Sequence, residues 1–548
     1  MKINFRKLML MMAVMMPLSF VACDPIEDPK DDTEQEEQTP GNNDQKPEEE
    51  TPASKTELVV SKKGMYLEAK EATSSFTVKA GAAWTISTDA EWLTIDPMTG
   101  IITGQEVTIN VTAEDNTRPD VRQATITVKA GEGDKAAEHK ISVSQAGSPV
   151  DPEAELARKQ NIPHIYINVN GQQIKDKKTY IKGTVTIKDP EKLFSDEAEQ
   201  VLEMTKDGIR GRGNSTWDWP KKPYKLKFDS KVSILGFPKD KEWCLLANYS
   251  DRTLLRNITA MRLSEICGFG WTPRMRTVEV TLDGKYLGVY NFSEHKKVSS
   301  DRVNIEVAEG AETEGGYYFE LDERSVGEET YCWETALDIP VLVAEPEEPT
   351  AAQYSYVKQY FSDFETALKN GDYSESTGYR KYIDVKSFID YYIVQELTKN
   401  VDGNLRLSSF LTKEKGKKLE MYHLWDFDLT MGNCGYFSSS VGNGPENFYI
   451  KDCGWFKYLF KDPKFVDELQ ARWNELYPKF QEIPAFIQNE AVVIEKARIR
   501  NFQTWDITKN DIGWVKMPNK GSYEAELQYL LDFYTARLAW LNRELKKL

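Results

Sequence analysis

The spacing of apolar residues changes along this chain, and that change limits its folds more than any single motif does. From about residue 58 to 147, short runs alternate apolar and polar side chains, as in Ser75-Phe76-Thr77-Val78, Trp84-Thr85-Ile86 and Ala124-Thr125-Ile126-Thr127-Val128. Period two, rich in Thr and Val, puts one face of each strand on a core and predicts a β-sandwich. After Ser148-Pro149-Val150-Asp151-Pro152, read as a linker, strand-like runs return at 165–169, 184–187, 224–228 and 278–280. The last leads through Asp283-Gly284 to Gly288-Val289-Tyr290, a hairpin candidate. From Phe388 the spacing turns helical: Phe388, Tyr391, Tyr392 and Leu397, then Phe465, Leu469, Trp473 and Leu476, then Leu527, Leu530, Leu531, Tyr534, Leu538 and Leu541. Strands first and helices later predict a large α+β domain. With 548 residues, 29% charged and 40% hydrophobic, the chain has material for about three or four folded units at most and is not disordered throughout.

The amino-terminal segment has the layout of a secretory signal: Lys2, Arg6 and Lys7, then an apolar run at 8–21, then Ala22-Cys23. That run falls short of the roughly 20 residues that span a bilayer. Phe20-Val21-Ala22-Cys23 resembles a bacterial lipobox, which implies lipidation of Cys23 and attachment to a membrane through that lipid. Residues 24–52 hold 12 acids against 2 bases, and so little apolar material cannot fold; they read as an extended, solvated tether. Asp24-Pro25-Ile26-Glu27-Asp28 resembles the export tag of lipoproteins in gut Bacteroides-type bacteria, which implies an outer-membrane lipoprotein exposed at the cell surface. A plain spacer facing the periplasm is the alternative. The expected organisation is a signal at 1–22, a tether at 23–57, a sandwich at 58–147, a linker at 148–160 and the large domain at 161–548.

Lys+Arg 70 against Asp+Glu 87 gives a net charge of −17, which argues against a nucleic-acid partner bound along a basic face. With Cys23 lipidated, an odd five cysteines remain, and no disulfide framework follows. Four histidines and no CxxC pair make a Cys/His zinc site improbable and leave carboxylates as the expected ligands of any metal.

Three constellations carry candidate chemistry. Arg210-Gly211-Arg212-Gly213-Asn214-Ser215-Thr216-Trp217, followed by Lys221, Lys222, Lys225 and Lys227, combines glycines that let backbone N–H groups approach an anion with basic side chains. Such glycine-rich turns also occur for conformational reasons alone. Asp402-Gly403-Asn404 follows a helical stretch, and Trp425-Asp426-Phe427-Asp428 follows a strand-like one. Carboxylates at i and i+2 on a strand share a face and, with a third acid, suit Mg²⁺ or Mn²⁺; the other reading is an Asp pair capping a turn.

Residues 58–147, with Trp84, Trp92, Pro97, Gly100, Asn116, Arg122 and Val143-Ser144-Gln145-Ala146-Gly147, resemble the BACON domain, which implies an Ig-like sandwich and in many cases carbohydrate binding. Its tryptophans either stack on a glycan or, at inward positions of the sandwich, fill its core. Gly211 to Trp217 with Lys222-Pro223-Tyr224-Lys225-Leu226-Lys227, the segment from Trp243 to Asn257, Gly288-Val289-Tyr290 with Glu294, Gly315-Gly316-Tyr317-Tyr318-Phe319-Glu320 and Trp425-Asp426-Phe427-Asp428 together resemble the CotH (spore-coat protein H) kinase family over about 162–545. That resemblance implies an atypical protein kinase with a divergent kinase-like fold, moving the γ-phosphate of ATP to Ser or Thr of an extracytoplasmic acceptor protein with Mg²⁺ or Mn²⁺. It implies Asp402 as catalytic acid, Asp426 as metal ligand, and Asp428 as a second ligand or a structural partner. Arg212, Gly213, Asn214 and Ser215 are then the ATP-binding loop, with Lys225 or Lys227 as phosphate clamp and Glu294 orienting it. Asn248, Asp251, Arg252 and Asn257 recur in the family pattern and also suit a capping and packing role. Asn400-Val401-Asp402 stands in place of His-Arg-Asp, and Asn404 lies too close to Asp402 for the usual metal-ligand spacing. The alternative function is a non-catalytic surface scaffold or carbohydrate-binding protein of the same fold. A glycoside hydrolase is weaker, because an i, i+2 pair does not span a sugar cleft.

Overall fold

The computed structural model describes residues 56–70, 72–101, 105–118, 120–148, 152–507, 515 and 517–548. The signal, Cys23 and nearly all of the tether lie outside these residues. The chain divides into two compact units between residues 149 and 150.

In the first unit the strands are β1 (Leu58–Val60), β2 (Gly64–Leu67), β3 (Thr73–Ala80), β4 (Trp84–Thr88), β5 (Leu93–Asp96), β6 (Thr99–Gly100), β7 (Val107–Ala113), β8 (Arg122–Ala130) and β9 (Ala137–Gln145). They form a four-stranded sheet, β1-β3-β7-β5, and a five-stranded sheet, β2-β9-β8-β4-β6. Alternate residues such as Phe76, Val78, Ile109, Val111, Ile126 and Val128 face one core, as period two requires. Trp84 is buried in it, and a Cβ on Gly100 would lie 2.2 Å from the Trp84 ring, so glycine is required there. Trp92 packs on the edge of the same core, with the Arg122 guanidinium 4.3 Å over its ring. The core-filling role therefore holds for Trp84, which has no face for a sugar.

The second unit is mixed α/β. Its strands are β10 (His164–Asn168), β11 (Ile181–Lys188), β12 (Glu199–Gly211), β13 (Tyr224–Val232), β14 (Asp240–Leu246), β15 (Met275–Leu282), β16 (Lys285–Glu294), β17 (Tyr317–Leu321), β18 (Cys332–Glu334), β19 (Pro340–Glu345), β20 (Ser409–Lys413) and β21 (Leu419–His423). The helices are α1 (Pro152–Lys159), α2 (Arg256–Cys267), α3 (Ala351–Lys369), α4 (Val385–Thr398), α5 (Phe456–Leu459), α6 (Pro463–Phe480), α7 (Ile483–Val493), α8 (Glu495–Thr504) and α9 (Tyr523–Glu544). Strands β10 to β16 close into a barrel in the order β10-β11-β12-β13-β14-β16-β15, with β10 and β15 parallel. The β15–β16 hairpin turns at Asp283 (φ 44°) and Gly284 (φ 77°), the paired positive φ values that an Asp-Gly turn supplies. A second sheet, β18-β19-β17-β20-β21, packs with the helices on a large apolar core. Among the described residues no helix is long and apolar enough to cross a membrane.

Candidate functional site

Strand ends from both sheets meet at a cleft of about 420 Å³. Arg212, Gly213, Asn214 and Ser215 enter it just past β12, Lys296 two residues past β16, Glu320 from β17 and Arg324 from the turn that follows. Asp402 comes from the turn after α4, and Asp426 and Asp428 from the segment after β21. Rigid sheets thus carry loops whose side chains converge, a common construction for binding sites.

The glycine loop is shaped for close approach. Gly213 has φ 81°, and a Cβ there would lie 2.0 Å from Thr216 Oγ1. Arg212 stands 5.6 Å over the Trp425 ring. Arg324 donates to Asp322 and, with the Asn214 amide oxygen turned toward it, to Asn214 at 2.8 Å. Lys296 pairs with Glu320 and lies 4.5 Å over the Phe410 ring. Three cations therefore line the cleft, each held by an aromatic ring or a polar partner.

The acidic side is shaped by backbone strain and burial. Asp426 has φ 67°, uncommon for a residue with a Cβ and frequent at functional sites. A chain of amides holds it: Asn248 Nδ2 donates to Asn291 (2.6 Å), Asn257 Nδ2 to Asn248 (3.1 Å), and the Phe427 N–H to Asn257 (2.9 Å). Asp251 receives the Arg256 N–H (2.8 Å) and its guanidinium (2.5 Å), while Arg256 Nε donates to the Thr430 carbonyl (2.9 Å). Asn248, Asp251 and Asn257 are buried in this network, and Asn248 and Asn257 also line the cleft. Burial pushes the Asp402 carboxyl up to about 7; the neighbouring Asp426 carboxylate adds to this and Arg324 opposes it. Asp428 accepts a hydrogen bond from the Ser250 hydroxyl, and burial, with Asp426 beside it, pushes its carboxyl well above the usual range.

This arrangement corrects the expectation of Mg²⁺ or Mn²⁺ at Asp426 and Asp428. Among the described residues, no group of three or more His, Cys, Asp and Glu is arranged to hold a metal ion. In this arrangement Asp428 accepts the Ser250 hydroxyl hydrogen bond, the part of a structural partner. Asn404 does not line the cleft, and its Oδ1, the atom that would ligate, accepts from the Arg406 N–H at 3.1 Å.

Of the remaining residues singled out in the sequence, Lys225, Lys227 and Glu294 do not line this cleft. Lys225 pairs with Glu242 at 2.7 Å, and Lys227 with Asp207 at 3.4 Å. Glu294 is buried and accepts from Arg274 (2.8 Å) and Trp271 (3.2 Å). The lysine and glutamate pair that does line the cleft is Lys296 with Glu320. Glu320 closes the Gly315–Glu320 motif, and Lys296 follows Glu294 by two residues, so a search of those motifs for a charge pair reaches both. Arg324 carries no such signal.

Comparison with known proteins gives two family matches. The model described as "CotH kinase protein" matches residues 209–541, and the BACON model, described as "Putative binding domain, N-terminal", matches 82–146. No curated protein matches the chain. Among solved structures, a Bacteroides ovatus GH5 xyloglucanase in complex with a heptasaccharide is 25% identical over 18% of this chain and 21% of its own, with a TM-score of 0.15. The chain thus spans about a fifth of that enzyme. A chaperone-tip adhesion subunit complex from Acinetobacter baumannii is 11% identical over 24% of this chain and 71% of its own, with a TM-score of 0.15. Scores this low establish no shared fold.

Proposed function

The chain belongs to the CotH kinase family, and from that premise we propose that its second unit binds the polyphosphate of a nucleotide such as ATP in this cleft. The observation that carries the reading is the convergence of Arg212, Lys296 and Arg324 with the Gly213 loop on one cavity of about 420 Å³, a volume within the usual range for small-ligand sites. Guanidinium and ammonium donors neutralise phosphate charge, and Gly213 admits backbone N–H groups to the same oxygens. The divergent kinase-like fold implied by the family is part of this proposal.

The reading takes two forms. A surface binding or scaffold protein without transfer is the better supported, because γ-phosphoryl transfer ordinarily uses divalent metal on carboxylates, and no such group is found among the described residues. Transfer to a Ser or Thr hydroxyl has one observation in its favour, Asp402 with its carboxyl near 7 in the same cleft. There it suits proton acceptance from the hydroxyl while the oxygen bonds to the γ-phosphorus and the bond to the β,γ-bridging oxygen breaks. The place of action we propose is outside the cytoplasm, on the strength of the signal at 1–22.

Calorimetric titration of the full chain with ATP, ADP, AMP and adenosine tests the binding. Affinity should fall with each phosphate removed, and Arg212→Ala should weaken ATP about tenfold while leaving adenosine unchanged. No binding of any of the four by folded protein ends the proposal. Label transfer from γ-labelled ATP to a pool of exported proteins, abolished by Asp402→Ala, would establish the catalytic form. Binding without label transfer leaves the scaffold.

A further inference from the structure

The turn that carries Asp402 is braced by two buried cations. Lys399, the residue after α4, has φ 47° and is 1% exposed. Its ammonium donates to the carbonyls of Val441 (3.2 Å), Gly442 (3.0 Å), Gly444 (2.8 Å) and Glu446 (2.7 Å). Arg537, from α9, donates to the carbonyls of Pro445 (2.9 Å) and Asn447 (2.7 Å) and to the Glu396 carboxylate (2.5 Å). Segment 441–447 has no helix or strand of its own, so these side chains supply donors that a regular ladder would otherwise provide. An ammonium among four carbonyl oxygens at such distances has the surroundings of a dehydrated monovalent cation. Burial lowers the Lys399 amine to about 8, which leaves the ammonium the main form at neutral pH.

The longer loop 436–449 reaches the cleft at one end and the turn bearing Asp402 at the other. Tyr436, at its start, lines the cavity. Tyr449, at its end, donates its hydroxyl to the Val401 carbonyl (3.0 Å) and accepts from Asn404 (3.0 Å), bracketing Asp402. Phe437 and Tyr449 meet edge to face at 4.9 Å.

We propose that Lys399 is a positioning residue, a tethered monovalent cation that holds segment 437–447 in place beside the cleft and, through Tyr449, fixes the turn bearing Asp402. Its effect on ligand rests on the nucleotide reading of the cleft; the latch itself does not.

The test is chemical replacement of the missing cation. In full-length Lys399→Ala the carbonyl cage is left open, and amide exchange across 437–447 should quicken about tenfold or more while the barrel keeps its protection. Ammonium or methylammonium chloride should restore that protection, and tetramethylammonium at equal ionic strength should not, being too bulky for the cage. ATP affinity should fall and recover in step. Unchanged exchange in Lys399→Ala, or loosening that no small cation reverses, overturns the proposal. Should Lys399→Ala fold only with added cation, that dependence is itself the expected result. Should it not fold at all, Lys399→Met, which keeps the stem without donors, decides: local loosening supports the latch and native protection overturns it. If wild type binds no ATP, the nucleotide reading falls while the exchange data still decide the latch.

Discussion

Asp402 sets the pH behaviour expected of the cleft. Its carboxyl, raised from 3.8 to about 7 chiefly by burial, binds its proton more tightly in the folded chain than in the unfolded one. Its contribution to stability is therefore present at low pH and is lost as pH rises through about 7. Asp402→Asn should lose that dependence, so its melting temperature relative to wild type should climb from about pH 4 to about 7, between the unfolded and folded values, and level off above, as a thermal scan at each pH would show. ATP affinity of wild type should also drop above about 7, when Asp402 becomes an anion facing phosphate. The ligand's own titration is common to both proteins and cancels in the comparison. Asp428 predicts differently. A side chain already held toward neutrality should accept Asp428→Asn at a cost of about 1 kcal/mol or less, since an amide oxygen still receives the Ser250 hydrogen bond. A loss of several kcal/mol in denaturant unfolding would contradict this. Arg212, Gly213, Asn214, Ser215, Asp402, Asp426 and Asp428 were legible as a group because they sit in short motifs. Lys296 was not chosen over Lys225 because strand alternation constrains which face a lysine takes, while the identity of its partner, Glu320 or Glu242, depends on neighbouring strands.

At the scale of elements, α8 is pinned to β16 by one amide. Asn501 Oδ1 accepts from the Val289 N–H (3.0 Å) and from the Lys221 ammonium (3.0 Å), and Gly288, with φ 99°, leaves room for it. Lys221 is 2% exposed, and burial lowers its amine well below the usual lysine range. Asn501→Ala would leave the buried Val289 N–H without its acceptor, at about 1–3 kcal/mol, and the Lys221 ammonium with the Val289 carbonyl alone. A melting temperature within about 1 °C of wild type would refute that role. The hairpin at Asp283-Gly284 was readable from its dipeptide, as was the alternation of β3, β7 and β8. Barrel closure was not. The parallel pairing of β10 with β15 joins His164 to Glu279 and Ile165 to Val280, and nothing local in either strand encodes so distant a partner.

For the whole molecule, the expectation about metal becomes a measurement. A protein that binds a divalent ion in its folded state gains stability with ligand and loses it on chelation. With no acidic group arranged to hold one among the described residues, EDTA should leave the melting temperature of the ligand-free chain unchanged within about 1 °C. A marked drop would show that the carboxyls of the cleft rearrange around an ion. The strand-then-helix order conveyed the mixed α/β character of the second unit. Burial of individual carboxyls has no sequence signature, which is why the choice for Asp428 between second ligand and structural partner stayed open in the sequence; in the structure it is bonded to Ser250.

The grip of Arg537 on Glu396 and on the carbonyls near residue 446 also dictates an order of assembly. A chain emerging from the ribosome presents β10 to β21 and α4 well before Arg537, which follows Glu396 by 141 residues. Until that arginine arrives, Glu396 is an acid awaiting burial and the segment beside it has lost half of its cationic support. The barrel can close early during synthesis, while the loop beside the Asp402 turn can be fixed only near the end. A ribosome stalled before residue 537 would therefore present a chain whose sheets can form while Glu396 and the carbonyls of Pro445 and Asn447 still lack their arginine.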